Sequence, residues 1–587
     1  MAKLAEAIIT SFEGGNSEDK RFGWVSVGNV FMTNKYSITK HFDSLTFPRK
    51  LYPYFKTEAD ENKTFNIVKF LYAPTAASAF KFYGLGVVVG ATKAKVYSHD
   101  GTLPASTGWS AETNGESARD NRNTEVFFYY KNFIYMWGAT RYLIRFDSVG
   151  GSAFQDTFFD YGATYSTVAS PVHHLTDDSA YFFVDNKVYR LNGTTWDGLV
   201  LTLPSNLKIM SACSFGNYMA IACASLQTLD KKSMVYLWDR DSSLATVSAV
   251  IDFGEGEIIH LANLNNKLTG IINFYNDNAS GLKKGKIIIK QMSGEFAVVL
   301  NELLADDTAS ISMAATRIIR DNKIYFPASV YHRTDTRHGI WSADEFGRVT
   351  LEFLEEEAET TSYQGIYLLG QQWWIAHSGD GSVNRSDDGS TFSTTLASVY
   401  ESLIFNAGDS ATIKQLKGVT VMTEKMPADG QVILKFRIDG RNVWRTIFSH
   451  TTDNSLSHGA INQEPKITPL TATVSIASPA VVSSTAHGLV RGERFYFTTT
   501  GALPTGISAK TVYYVIAAGF TADQFEFAET EDGSAVNTSG SQSGTHTLNF
   551  FPDFEEFKEI EFRIESYGGA VITGLKFKCE ILDKEFY

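Results

Sequence analysis

A chain of 587 residues is too long for one compact core, so it divides into two or more domains. Charged residues make up only 20%, which excludes a disordered polymer, and the net charge of −13 excludes a duplex-DNA reader, which needs a basic face. Three cysteines are too few for a secreted disulfide framework, and no run reaches the ~18 apolar residues of a membrane span.

Residues 1–61 precede the regular part of the chain. Glu6 interrupts the apolar run at the start, so no signal peptide is expected and the protein is expected to be made and assembled in a cytoplasm. Trp24 to Met32 alternates as a strand, and His41 to Tyr54 is extended, aromatic and punctuated by Pro48 and Pro53. This segment is expected to wrap a ring or to supply the strand that closes one.

From residue 62 to 405 one event recurs. In Lys187-Val-Tyr-Arg-Leu-Asn-Gly-Thr-Thr-Trp196 an alternating strand runs into an Asn-Gly turn, which tolerates the positive φ of a tight hairpin. Equivalent turn residues are Asp100, Asp147, Asn192, Asp239, Ser293, Asp344 and Asp387, at intervals of 47, 45, 47, 54, 51 and 43. Upstream of most of these turns lies an apolar strand introduced by Asn or Gly, as in Asn132 to Met136, Asn266 to Gly270 and Asn322 to Phe326. A period of about 40 to 50 residues with several short strands marks a β-propeller. Seven blades are expected, six being the alternative. The 13% aromatic share suits packed strands, and helical periodicity is almost absent; the acidic stretch Glu352 to Glu359 reads as an exposed loop.

After residue 405 the strands lengthen. Lys414 to Met422 and Gln431 to Ile438, then Phe557 to Ile564 and Thr573 to Ile581, alternate in the same manner and form one β-sandwich split in sequence, 406–467 with 549–587. Between them, 468–548 is rich in Thr, Ser, Gly and Ala and reads as a small β domain inserted into a sandwich loop.

Several constellations are candidate sites. His173, His174, Asp177 and Asp178 offer metal-type ligands without a distal partner, so a solvated blade loop is expected. Asp239 with Asp241, and Asp306 with Asp307, lack the oxygen spacing of a calcium loop. Ser386-Asp-Asp-Gly-Ser-Thr-Phe392 resembles the Asp-box of sialidase-type propellers but is one residue short, and reads as a structural turn. Trp238, Trp341, Trp373 and Trp374 read as blade core rather than sugar platforms. Cys213 and Cys223 could face each other across a hairpin; buried free thiols are expected. No phosphate-cradling loop, nucleophile elbow or dinucleotide fingerprint occurs, so no catalytic, cofactor or metal residues are assigned.

The insertion carries a resemblance. Ala486-His-Gly-Leu489, Phe497-Thr-Thr-Thr-Gly-Ala-Leu-Pro-Thr-Gly506, Val512-Tyr-Tyr-Val-Ile516, Phe525-Glu-Phe527, Gly533 to Thr538 and Ser543-Gly-Thr-His-Thr547 resemble a small β module of tailed-bacteriophage tail proteins. The split sandwich is similar to the closing domain of phage tail propellers, and the propeller resembles tail-nozzle and tail-hub proteins in architecture. The resemblance implies a non-enzymatic virion protein in a tail ring, nozzle or hub, assembled with copies of itself and other tail proteins. Genomic DNA would contact it only in transit, and a host-surface glycan would be a further partner. The alternative is a glycan-binding or sialidase-like glycan-cleaving propeller. For a conduit, the acidic runs Glu355–Glu357 and Asp553–Glu556 are expected on the lumen, and Lys283, Lys284 and Lys286 at subunit contacts.

Overall fold

The computed structural model describes residues 3–582 apart from 13–23, 44–48, 54–56, 76–79, 89–92, 100–108, 121–125, 150–153, 227–230, 278–282, 305–315, 354–362, 378–381, 387–391, 440–443, 452–457, 464–468, 551–555 and some shorter pieces. The chain divides into two compact units: Phe55–Thr391, and Met1–Tyr54 together with Phe392–Tyr587. Among the described residues every regular element is a strand, and no helix is long and apolar enough to cross a membrane.

The first unit is a seven-bladed β-propeller. Four-stranded antiparallel blades occupy 65–120, 127–160, 168–202, 207–255, 257–304 and 318–353. The seventh blade takes three strands from Tyr363–Leu369, Gln372–His377 and Ser382–Ser386, and its outer strand is Thr57–Asn62, from the opposite end of the unit. The register Ser382↔Asn62, Arg385↔Glu58 and Ser386↔Thr57 joins the two ends in one sheet. Closure therefore comes from the end of the N-terminal 1–61 segment, as expected of it, but at 57–62 rather than in His41–Tyr54.

The local sequence explains the repeat. The first turn of several blades is a two-residue loop with positive φ at both positions: Lys131 and Asn132 (46° and 74°), Asn265 and Asn266 (49° and 61°), Asp321 and Asn322 (51° and 58°). Asn and Asp tolerate this region better than other side-chain-bearing residues, and such turns match the right-handed strand twist. That is why asparagine introduces the second strand so often. In the third blade the last turn is Gly193-Thr194, with Gly193 at φ 57°, while Asn192 stays in the strand paired with Thr195. The tight turn is thus one residue later than Asn-Gly alone suggests.

No blade buries its faces alone; the cores lie between blades. Trp137 and Tyr189 share a cluster between blades two and three, Trp238 packs with Tyr181 between three and four, and Trp341 packs with Ile271 between five and six. Blade seven meets blade one through Trp374, Phe70, Phe82 and Trp109. It meets blade six through Trp373, whose ring lies 5.4 Å from Tyr325. The four tryptophans Trp238, Trp341, Trp373 and Trp374 are all buried. Cys213 and Cys223 are free and buried; in the hairpin Cys213 faces Ala220 and Cys223 faces Ile209. Burial pushes the Cys213 thiol up to about 12. Glu352 is not in an exposed loop: it is buried at the end of Val349–Phe353 and accepts a hydrogen bond from Ser342, at 2.5 Å. Glu355–Glu357 lies outside the described residues.

The second unit is a sandwich with a barrel inserted in it. One sheet runs Val25–Val27, Val30–Met32, Lys3–Ile9, Ile572–Ile581, Lys414–Glu424 and His458–Gln463. The facing sheet includes Ile38–Lys40, Ser398–Glu401, Ile560–Tyr567, Gln431–Ile438 and Arg445–Thr451. Ala5, Ala7 and Ile9 meet Val432, Leu434 and Phe562 in one core. The N-terminal residues are therefore sandwich strands rather than a wrap around the ring, and Ser398–Glu401 belongs to the sandwich, not to a propeller ending at 405. Cross-strand pairs Arg437–Glu561 (2.5 Å) and Lys435–Glu565 (2.7 Å) fix the register of the second sheet.

The insertion is a closed six-stranded barrel from Leu470–Val474 to His546–Phe550. Its core is its own: Phe495, Phe497, Tyr513, Phe525 and Phe527 pack edge to face and tilted, with centroids 5.2 to 6.1 Å apart. An ion pair of Arg445 with Glu493 ties it to the sandwich.

Two outcomes are expected. Replacing Ala59 and Asp60 in the closing strand by proline removes a ladder donor whichever of the two N–H groups faces the partner, and costs about 1 kcal/mol or more. Calorimetry should show a lower Tm for the propeller transition; an unchanged Tm would mean that 57–62 does not close the ring. Deleting 470–550 with a short Gly-Ser bridge should leave a soluble protein with its propeller transition intact. Insoluble product would make the barrel part of the sandwich core.

Candidate functional site

Blades two to four bring the His173–Asp178 loop together with residues far away in sequence. His173 and His174 end the inner strand of blade three, and Asp177 and Asp178 lie in the following turn. Each pair is engaged separately. Asp178 Oδ1 is 2.8 Å from His173 Nε2, and its other oxygen is paired with Lys131 of blade two. Tyr130 donates its hydroxyl to the Asp178 carbonyl and accepts the Gly193 N–H at 2.9 Å. Asp177 accepts from the Tyr181 hydroxyl at 2.5 Å and faces Arg240 of blade four at 3.4 Å.

His174 is enclosed by this second group. Arg240 Nη1 lies 2.9 Å from its Nδ1 and 2.6 Å from its Nε2, and the Tyr218 carbonyl is 3.2 Å from Nε2. A guanidinium has only N–H donors, so its charge beside the ring favours the neutral form, while Asp177, 3.8 Å from Nδ1, opposes it. Burial, and then the Arg240 charge, hold the His174 pKa below its usual range. The carboxylates that a metal would need are committed to Lys131, Arg240, His173 and Tyr181. Among the described residues no group of three or more His, Cys, Asp or Glu is arranged to hold a metal ion.

Asp239 and Asp241 behave as turn residues. Asp239 accepts the Asp241 N–H at 3.1 Å, and Asp241 accepts both the N–H and the hydroxyl of Ser243. Ser386 accepts the Trp373 N–H at 2.8 Å, inside blade seven; the rest of the Asp-box-like stretch as far as residue 391, and Asp306 with Asp307, lie outside the described residues. Lys286 is taken by Glu302 of its own blade at 2.6 Å, which removes it as a free contact lysine. The side chains of Lys283, Lys284 and Asp553–Glu556 are outside the described set.

The axial channel holds what the sequence did not reveal. Lys69 on the inner strand of blade one donates to Ser170 on that of blade three, 3.3 Å away, reaching past blade two. Arg317, at the head of blade six, donates to Ser211 and to the Ala212 carbonyl (2.7 Å) on blade four, reaching past blade five. These are chords across the ring. Beside them Glu257 of blade five is held by Lys208 (2.8 Å) and Lys231 (2.7 Å) of blade four. Burial would raise the Glu257 pKa, but the two ammonium groups outweigh it and hold the carboxyl below its usual range. The partners are separated by 101 to 106 residues for the chords and by 66 for His174 and Arg240, so no local pattern announces them.

No protein-family model matches the chain, and no curated protein matches it. Comparison with solved structures gives matches at low identity and low TM-score. BamB from Moraxella catarrhalis is 12% identical, with 58% of this chain and 99% of that one covered and a TM-score of 0.33. An exo-beta-1,3-galactanase from Phanerochaete chrysosporium is 9% identical over 87% of this chain and 95% of its own, at 0.24. The extracellular domain of a hybrid two-component system from B. thetaiotaomicron is 9% identical over 83% and 61%, at 0.35. Likeness at this level carries no argument about activity.

The His174 joint has a pH signature. Its folded pKa is depressed, so the stability it contributes is present above the unfolded value and is lost as pH falls below about 6.5. Wild-type Tm should fall through that window more steeply than that of His174→Gln, which keeps an uncharged acceptor. Parallel curves would show that His174 does not face Arg240 as a neutral ring.

Proposed function

We propose that this chain is a non-enzymatic structural subunit of a bacteriophage virion, in a tail ring, nozzle or hub, assembled in the host cytoplasm. The observation that carries the reading is the inserted barrel. The residues that resemble the phage tail module fold as a closed unit with an aromatic core of its own, hung on a sandwich loop. A self-sufficient module in that place suits a contact with a neighbouring tail protein or a host-surface glycan.

The propeller supports the same reading by its chemistry. Asp177, Asp178 and Glu257 are spent on cations of neighbouring blades, and Asp239 and Asp241 on their own turn. With chords across its own channel, each propeller is a rigid platform, and a genome would pass between copies rather than through one chain. The −13 net charge keeps such a passage from retaining DNA.

Native mass spectrometry of the purified protein should give a closed oligomer that dissociates as salt screens its contacts. Antibodies against the chain should label the tails of isolated particles. No retention of duplex DNA is expected at ~50 mM salt, where phosphate contacts would be strongest. A salt-indifferent monomer that hydrolyses a glycan would replace this reading with the glycan-cleaving one.

A further inference from the structure

We infer that the outer face at the free edge of the sandwich's first sheet is where a second copy of this chain docks, edge to edge and head to tail. The inference rests on the ring reading above and assigns it a surface.

The strands Val25–Val27, Val30–Met32 and Lys3–Ile9 lie side by side at one end of that sheet. In Lys3–Ile9 the residues Ala5, Ala7 and Ile9 enter the core, so the alternate positions face outward. The register Glu6↔Val30, Ile8↔Met32, Val25↔Met32 and Val27↔Val30 places these residues on the same outward face. The solvated side of a sheet that covers a core on its other face should be polar. Here Leu4, Val25, Val27 and Met32 are 53%, 64%, 68% and 44% exposed. The apolar strip stops at the third strand; beyond it the same face carries Lys576, Lys578 and Glu580.

The exposure is built rather than incidental. Trp24 donates its indole N–H to the Ile404 carbonyl at 2.9 Å and packs on Phe405, with ring centroids 5.2 Å apart. Phe31 packs on Phe405 from the core side at the same distance. The hairpin is thus pinned from beneath with its apolar face outward, at a strand edge without a further partner among the described residues.

Two features select a second copy. The other end of the sheet, His458–Gln463, is also an edge without a further partner among the described residues. One sheet with two open edges can give one and receive the other, and head-to-tail contacts are those that generate rings. Charge agrees. On a chain of net charge −13, this face sets Lys417, Lys576 and Lys578 against Glu6 and Glu580. It is therefore a place where two acidic copies can meet without like-charge repulsion.

The test compares wild type with Val25→Lys/Val27→Lys by native mass spectrometry and light scattering. Both sites are exposed, so the variant should keep its Tm within about 2 °C. The expected result is a wild-type oligomer and a monomeric variant. An oligomer that survives both lysines overturns this surface while leaving the ring reading in place; a monomeric wild type overturns both. A second variant, Val27→Cys/Ala460→Cys, should give a ladder of disulfide-linked copies. Val27→Cys alone cross-linking to itself would make the contact two-fold and refute the head-to-tail arrangement.

Discussion

Closure of the ring is the constraint on which the propeller depends. Every blade presents apolar residues on both faces, and every core lies between blades, so an open ring would leave two half-cores in water. The strand Thr57–Asn62 prevents this by completing the seventh blade, which brings Trp374 against Phe70 and Phe82 of the first. At about 25 cal/mol per Å² of apolar surface, exposing two such faces would outweigh any single hydrogen bond or ion pair in the unit. The sandwich follows a related logic. Its N-terminal strand Lys3–Ile9 pairs with Ile572–Ile581, so one sheet holds both ends of a chain whose middle has left to build the propeller.

Polar chemistry serves this architecture. Glu257 with Lys208 and Lys231, Asp177 with Arg240, and Asp178 with Lys131 each join neighbouring blades. Lys69 and Arg317 go further and span a blade. Such groups are costly to bury alone and cheap when mutually neutralised, so they report on blade register more than on catalysis.

Much of the fold was legible in the sequence because its signals are local. The turn at Asp147, Asn192, Asp239 and Asp344 recurs at a fixed place in each blade, and the asparagines before the second strands answer a backbone demand for positive φ. The barrel was visible as a change of composition. What could not be read is non-local. The closing strand Thr57-Glu-Ala-Asp-Glu-Asn62 has no apolar alternation, and its role comes from a partner more than 300 residues away. The membership of Lys3–Ile9 in the sandwich depends likewise on the far end of the chain. At the His173–Asp178 loop the local sequence shows two histidines and two aspartates, but Arg240 and Lys131, which decide their chemistry, come from other blades.

Hydrogen exchange of the backbone amides in 57–62 is the most direct measurement of the central claim. If this strand closes a seven-bladed ring, those of its amides that pair with Ser382–Ser386 exchange only with the opening of the whole propeller, at the rate of the amides in Gln372–His377. Exchange of the whole segment at the rate of an unprotected peptide, with Gln372–His377 still protected, would contradict closure by this strand.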